Sequence, residues 1–309
     1  MPLIHRHIER YDRSALKAEI ASALDAWGGI DGLFVGRESV LLKPNFVAPE
    51  GPDECSTTDP EFYFAVAELL LDAGKRVTIA DSPAFGSAAL VVRMKGALGE
   101  CRRLGVKIRT LRKPEKAAGV TGARRFSELT IARELRDYDA LVNLPKLKVH
   151  SQFVFTGATK NLYGCVTGKR KAWRHFICEN NPLLFAQMIL ANAEAAGMLI
   201  HIADGITSMH MKGPRGGQPY PLHALMVSED SLAIDWLYCA RIGLPHDQTP
   251  LFRAVEPAKR EQLAALCAPI IADPTWQVAP DHQLSPESPI QFSPTHMLRS
   301  VYRSATAGS

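Results

Sequence analysis

Apolar residues recur at helical spacing over Ser14 to Trp27, at Leu16, Ile20, Leu24 and Trp27, and the pattern stops at Gly28-Gly29. A helix with a glycine stop is expected there. The apolar run Ser39 to Leu42 reads as a strand ending in Lys43-Pro44-Asn45. Asp59-Pro60 then sets a capping carboxylate before a proline at the first helical position, Phe62, Val66, Leu69 and Leu70 supply an apolar face, and Gly74 closes the helix. Arg76 to Ala80 is the next strand, ending in Asp81. The intervening crossover helix leaves no room for a tight hairpin, so these strands run parallel.

The alternation continues. Ser82 to Ser87 leads into a helix over Ala88 to Leu104, whose first amides suit a plain cap or an anion equally. Val106 to Leu111 is a strand, Arg112 to Arg125 a polar excursion, Phe126 to Leu135 a strand passing into a turn, and Ala140 to Leu144 a buried strand that turns on Pro145. Asn181-Pro182 opens a helix over Leu183 to Ala196 that Gly197 ends. Leu199 to Ala203 is a strand terminated by Asp204-Gly205, Ile206 to Tyr220 a glycine-rich loop, and His223 to Val227 a further strand. Glycines in that loop allow backbone amides to approach a ligand, or serve only a turn. Ser228 to Ser231 caps a helix to Ile242 in which Asp235 lies near the apolar face, tied to backbone amides or facing a site. From Asp273 the chain is a proline-rich tail. The expected fold is α/β, a mainly parallel sheet with helices on both faces, in two lobes (1–179 and 180–309) with a cleft between them.

Composition narrows the class. With 309 residues, 46% apolar and 22% charged, the chain is an ordinary globular protein able to bury a large core. A net charge of +4 permits an anionic substrate. It lacks the long basic runs of a nucleic-acid binder, for which Lys169, Arg170, Lys171 and Arg174 are the nearest approach. The charged first thirty residues and the absence of a run of roughly 18 apolar residues point to a cytoplasmic protein that does not engage a membrane. Six scattered cysteines form no Cys-x-x-Cys pair, so buried reduced thiols are expected and an iron-sulfur cluster is not.

Candidate chemistry gathers between Asp139 and His175, where Lys146, Lys148, His150, Lys160, Asn161, Lys169 and His175 stand among glycines. Polar groups just after buried parallel strands line the ligand crevice of open α/β sheets. Histidine can move a proton near neutrality, and lysine can bind an anion or link covalently to a carbonyl group. The nucleophile elbow, the P-loop and the Rossmann glycine fingerprint are all missing.

Leu42-Lys43-Pro44-Asn45, Asn143 to His150, Thr156 to Gly164, and Asp204-Gly205-Ile206 with Gly213-Pro214 together resemble the domain of unknown function 362 family over roughly Val40 to Gly243. Members often carry a ferredoxin-like module, whose cysteine motifs this chain lacks. About a third of the chain more distantly resembles the nickel-pincer lactate racemase family. That resemblance implies His150 as the proton-moving residue, Lys160 as the covalent holder of a nickel-pincer nucleotide, and His175 as a nickel ligand before Asn181-Pro182. The chain departs from it at Ala158-Thr159, where glycine is expected, and in showing no obvious second catalytic histidine before His150.

The leading expectation is an isomerase-like or oxidoreductase-like enzyme acting on a small carboxylate or phosphate-bearing molecule, its oligomeric state open. His150 is the acid/base and Lys160 binds the anionic group, with His175 nearby. Lys43, Asn45, Asp81, Lys146, Lys148 and Asn161 line the cleft; Asp204, Gly213 and Gly216 close its other side. Two alternatives stand: a redox or metal-handling protein using Cys165, His175 and Cys178 with an electron partner, and a non-catalytic ligand-binding protein.

Overall fold

A computed structural model describes residues 1–118, 126, 128–168 and 170–289. Lys169, the second half of the polar excursion before Phe126 and the end of the tail lie outside the described residues. The strands are β1 (Leu3–His7), β2 (Ser39–Pro44), β3 (Arg76–Asp81), β4 (Lys107–Thr110), β5 (Pro114–Ala118), β6 (Glu128–Ala132), β7 (Ala140–Leu144), β8 (Lys146–His150), β9 (Val154–Thr156), β10 (Ile200–His210) and β11 (Gln218–Ser228). The helices are α1 (Arg13–Leu24), α2 (Gly29–Leu33), α3 (Pro60–Asp72), α4 (Ala88–Met94), α5 (Leu98–Leu104), α6 (Ala158–Asn161), α7 (Arg170–Ile177), α8 (Pro182–Ala196), α9 (Ser231–Arg241), α10 (Pro250–Ala254) and α11 (Pro257–Ile271).

The main sheet runs β1-β11-β10-β7-β2-β3-β4, with β8 also on β10 and β9 on β8. Pairings among β10, β7, β2, β3 and β4 are parallel; β1–β11, β11–β10 and β8–β9 are antiparallel. Alternation splits the core by face. Val40, Leu42, Val142, Leu144, Ile200 and Ile202 pack with Leu16 and Ile20 of α1 and with Phe62, Val66 and Leu70 of α3. Ala203, Ala224 and Met226 pack on the other face with α8, α9, α10 and α11. The fold is therefore mixed α/β with helices on both faces of a mainly parallel sheet. β10, after residue 179, pairs with β7, before it, so the two halves of the chain share that sheet.

Caps behave as their chemistry requires. Asp59 accepts the Glu61 amide ahead of α3, and Asn181 accepts the Leu183 and Leu184 amides ahead of α8. Four expectations change. Ala88 to Leu104 is two helices, broken where Gly96 takes φ +71°. The loop expected over Ile206 to Tyr220 is mostly the β10–β11 hairpin, whose long strands leave only 211–217 as connection. The strand expected to pass into a turn over Phe126 to Leu135 is β6 followed by a tight turn at Arg133–Asp137, its start narrowed to Glu128. The segment after Pro145 is the strand β8. Its Lys-Leu-Lys-Val-His order has a strand's period of two, which the lysines disguise because all five side chains are buried. No helix among the described residues is long and apolar enough to cross a membrane.

Candidate functional site

The pleat of β8 aligns Lys146, Lys148 and His150 on one face, with Leu147 and Val149 on the other. Each of the three meets a different environment. Lys146 Nζ lies 2.9 Å from Asp204 Oδ2 and donates to the Tyr11 hydroxyl at 2.7 Å, and Tyr11 in turn donates to Asp204 Oδ1. Burial opposes that charge, but Asp204 and Tyr11 outweigh it and hold the ammonium above its ordinary range. Lys43 is spent similarly, 3.0 Å from Asp81 Oδ1. Asp81 Oδ2 also accepts the Phe46 amide at 2.8 Å. Lys43 and Lys146 are thus internally neutralised and anchor the strand ends.

Lys148 is not neutralised. Fully buried, it donates to the Ser56 carbonyl and, at 3.3 Å, to Asn45 Oδ1, and it makes no ion pair with a described carboxylate. Burial drives its amine down to about 7 against the partial support of Glu50, and Lys160 lowers it further. Glu50 is itself committed to Lys95 at 3.1 Å and to Ser56 and Thr57. Lys160, half-buried on α6 with Nζ 5.9 Å from the Phe153 ring centre, is also pushed to about 7, by burial and then by Lys171. Lys171 bonds to the Ser82 carbonyl and is lowered by burial to about 8. Three lysines therefore lie within electrostatic reach of one another with no described carboxylate in contact, the potential that attracts an anion.

Burial, then Lys160, Lys148 and His175, hold the His150 imidazole well below its ordinary value, so it is neutral at pH 7. Those influences put Lys148, Lys160 and His175, from β8, α6 and α7, within electrostatic reach of His150. One hydrogen bond changes the part His150 can play. Its Nδ1 accepts the Gln152 amide at 3.0 Å, which assigns the proton of the neutral ring to Nε2. The ring then offers an N–H donor rather than a free basic nitrogen. Opposite it in register stands Val154 at φ +65°, a strained conformation for a β-branched residue.

The helix α7 turns charge inward. Lys171, Arg174 and His175, spaced i, i+3 and i+4, share its inner side, while Trp173 and Phe176 are 61% and 54% exposed. Arg174 ties the helix to Asn192 at 3.0 Å and to the Thr130 carbonyl at 2.6 Å. His175 packs 4.4 Å from the Phe185 ring and 5.8 Å from Tyr163. At the rim, Arg215 sits 5.8 Å over Phe85, joining the 211–217 connection to the loop before α4. A Cβ on Gly213 would lie 2.0 Å from the Val149 carbonyl oxygen, so close backbone packing excludes a side chain there, whereas Gly216 serves a left-handed turn at φ +67°.

Asp235, Asn161 and Gly164 brace this region from below. Asp235 is tied to amides: it accepts those of Ala158 at 2.6 Å and Thr159 at 3.0 Å, and burial raises its carboxyl to about 7. Asn161 Nδ2 donates to Asn143 at 2.7 Å and, at 3.4 Å, to the Lys43 carbonyl, locking α6 onto the strand ends. A Cβ on Gly164 would fall 2.3 Å from Asp81 Oδ1 and 2.4 Å from Lys43 Nζ. Gly164→Ala should therefore split a buried ion pair, costing about 3–5 kcal/mol; urea unfolding checks this, and a midpoint equal to wild type contradicts the assignment.

Sequence reasoning missed Tyr11 and Glu50, which are remote in the chain and carry no motif, and placed Lys171 only in a generic basic cluster. Its spacing with Arg174 and His175, against Trp173 and Phe176, was the available signal.

A mixed α/β protein with three lysines near its strand ends that ion-pair with no described carboxylate is the class these features define. The chain belongs to the family described as Domain of unknown function (DUF362), whose model matches residues 40–240. It is 33% identical over 297 residues, 96% of this chain and 91% of the relative, to the Thylakoid-associated protein sll1697 of Synechocystis sp.. Among solved structures, the lactate racemase apoprotein from Thermoanaerobacterium thermosaccharolyticum aligns with TM-score 0.47 and 16% identity, covering 74% of this chain. The chain spans 54% of that structure's length.

The residues fit a nickel-pincer nucleotide poorly. The amides at 158 and 159, where the pattern expects glycine beside Lys160, are already taken by Asp235. Among the described residues no three-ligand cluster includes His175, nor do Cys165, His175 and Cys178 form one. Burial pushes the Cys165 thiol up to about 12, far from a reactive thiolate.

Proposed function

We propose that the protein is an enzyme that binds a small carboxylate or phosphate-bearing substrate in the Lys148–Lys160–Lys171 pocket and moves a proton on it, as a racemase or isomerase does. The observation that carries this reading is geometric: Lys148 and Lys171 are held by carbonyl and amide oxygens and ion-pair with no described carboxylate, and His150, its Nδ1 occupied by the Gln152 amide, presents Nε2–H; burial accordingly lowers Lys148, Lys160 and Lys171 to about 7, 7 and 8. Near neutral pH the cluster holds both ammonium and free amine, and its protons belong to the group rather than to one residue. Lys148 and Lys171 bind the anionic group. Lys160, more open than Lys148, takes the proton from carbon as its amine becomes ammonium. His150 Nε2–H stabilises the negative charge that develops on the adjacent oxygen, a task a neutral imidazole performs well.

Solvent exchange tests this. With a panel of small 2-substituted carboxylates and their phosphate esters in D2O, at least one that raises the melting temperature should exchange its α-hydrogen, by NMR. Lys160→Met should slow that exchange by about 10²-fold or more. Stabilising anions without exchange would leave a binding protein instead.

A further inference from the structure

A second cluster lies away from that pocket, where the edge strand β1 meets β11. His7 ends β1, Glu9 follows it, and His223 lies in β11 next to Ala224, the register partner of His7. His7 Nε2 is 2.7 Å from Glu9 Oε1, His223 Nδ1 is 3.8 Å from Glu9 Oε2, and the two imidazoles stand 5.1 Å apart. One potential ligand atom from each of the three residues lies within 4.8 Å of the others.

Two further observations set this apart from a chance meeting of surface side chains. His223 adopts φ +54°, an unusual backbone conformation for a residue with a side chain, and such strain persists only where its surroundings hold it. Its Nδ1 also lies 3.2 Å from the Ile8 carbonyl. With Nδ1 spent on that carbonyl, as is common for a ligating imidazole, the ring is oriented and Nε2 is the nitrogen left for the metal, toward which the Glu9 carboxylate must turn.

The geometry points to a site for a divalent cation of the zinc class, held by His7, Glu9 and His223. Two imidazoles with one carboxylate select zinc and its late first-row neighbours over calcium or magnesium, which take oxygen ligands. Ligand bonds of about 2.0–2.2 Å place tetrahedral donors roughly 3.3 Å apart, within reach of small rotations of these side chains. The remaining coordination positions face solvent, since His7 and Glu9 side chains are 54% and 75% exposed. A bound ion would join Glu9, beyond the end of β1, to β11 and so fasten the edge of the sheet.

Titration calorimetry of the full chain with zinc chloride tests the site. Wild type should take up one zinc ion and melt higher with it. His7→Ala and His223→Asn, which tolerates the left-handed backbone, should each weaken uptake at least about tenfold and lose the thermal gain. Other histidines and the six cysteines offer background sites, so the variants decide. No saturable uptake by wild type, or uptake unchanged in both variants, overturns the proposal.

Discussion

Lys148→Met is expected to raise the melting temperature of the free protein and abolish its stabilisation by small anions. Replacing a fully buried ammonium that has no carboxylate partner by an apolar chain of similar volume removes a desolvation cost. The gain should be about 1–4 kcal/mol, or roughly 2–6 °C for a chain of this size, less what the Ser56 carbonyl loses. The same change two residues earlier should act oppositely. Lys146→Met leaves Asp204 buried and uncompensated, at a cost of about 3–5 kcal/mol. Thermal melts of both variants with and without succinate or sulfate decide the matter. A destabilised Lys148→Met that still responds to anions contradicts the account.

The stability of the free protein should climb between pH 7 and about 9. Lys148 and Lys160 at about 7 and Lys171 at about 8 lie below their ordinary value of 10.5. Above those values the folded chain holds fewer protons than the unfolded one, so stability rises with pH; below pH 7 the penalty is fully present. His150 adds to the same trend below 6.5. Asp235, raised to about 7, works the other way between 3.8 and 7 and is spent above that. From about pH 9 the buried thiols of Cys101, Cys165, Cys239 and Cys267, all pushed up, reverse the slope. Urea midpoints at pH 7, 8 and 9 should increase in wild type and increase less in Lys148→Met. A flat or falling series would mean these amines are solvated.

Much of the frame was legible because local signals agreed with the fold. Asp59-Pro60, Asn181-Pro182 and Gly197 mark helix ends by backbone chemistry that tertiary contacts do not override. β8 was obscured because lysine at a buried position contradicts the usual hydrophobic pattern, and the β10–β11 hairpin because glycines and prolines lie near its turn. The site showed the same division. Residues just after parallel strands could be found from position alone, so Lys43, Lys146, Lys148 and His150 were all named. Which of them keep a free charge could not, since Asp81 and Asp204 neutralise Lys43 and Lys146 across 38 and 58 positions of sequence. The tautomer of His150 depends on a single amide, Gln152, that no motif announces.

On the proposed function, uncompensated lysines make the Lys148–Lys160–Lys171 region an anion site. Calorimetric titration of succinate or sulfate at pH 8, in two buffers of different ionisation enthalpy, tests it most directly because neither anion titrates there. An incoming anion raises the depressed amines, so binding should draw protons from the buffer, and Lys148→Met with Lys160→Met should cut that uptake to what Lys171 alone supplies. Binding without proton uptake, or no binding of either anion, would contradict it.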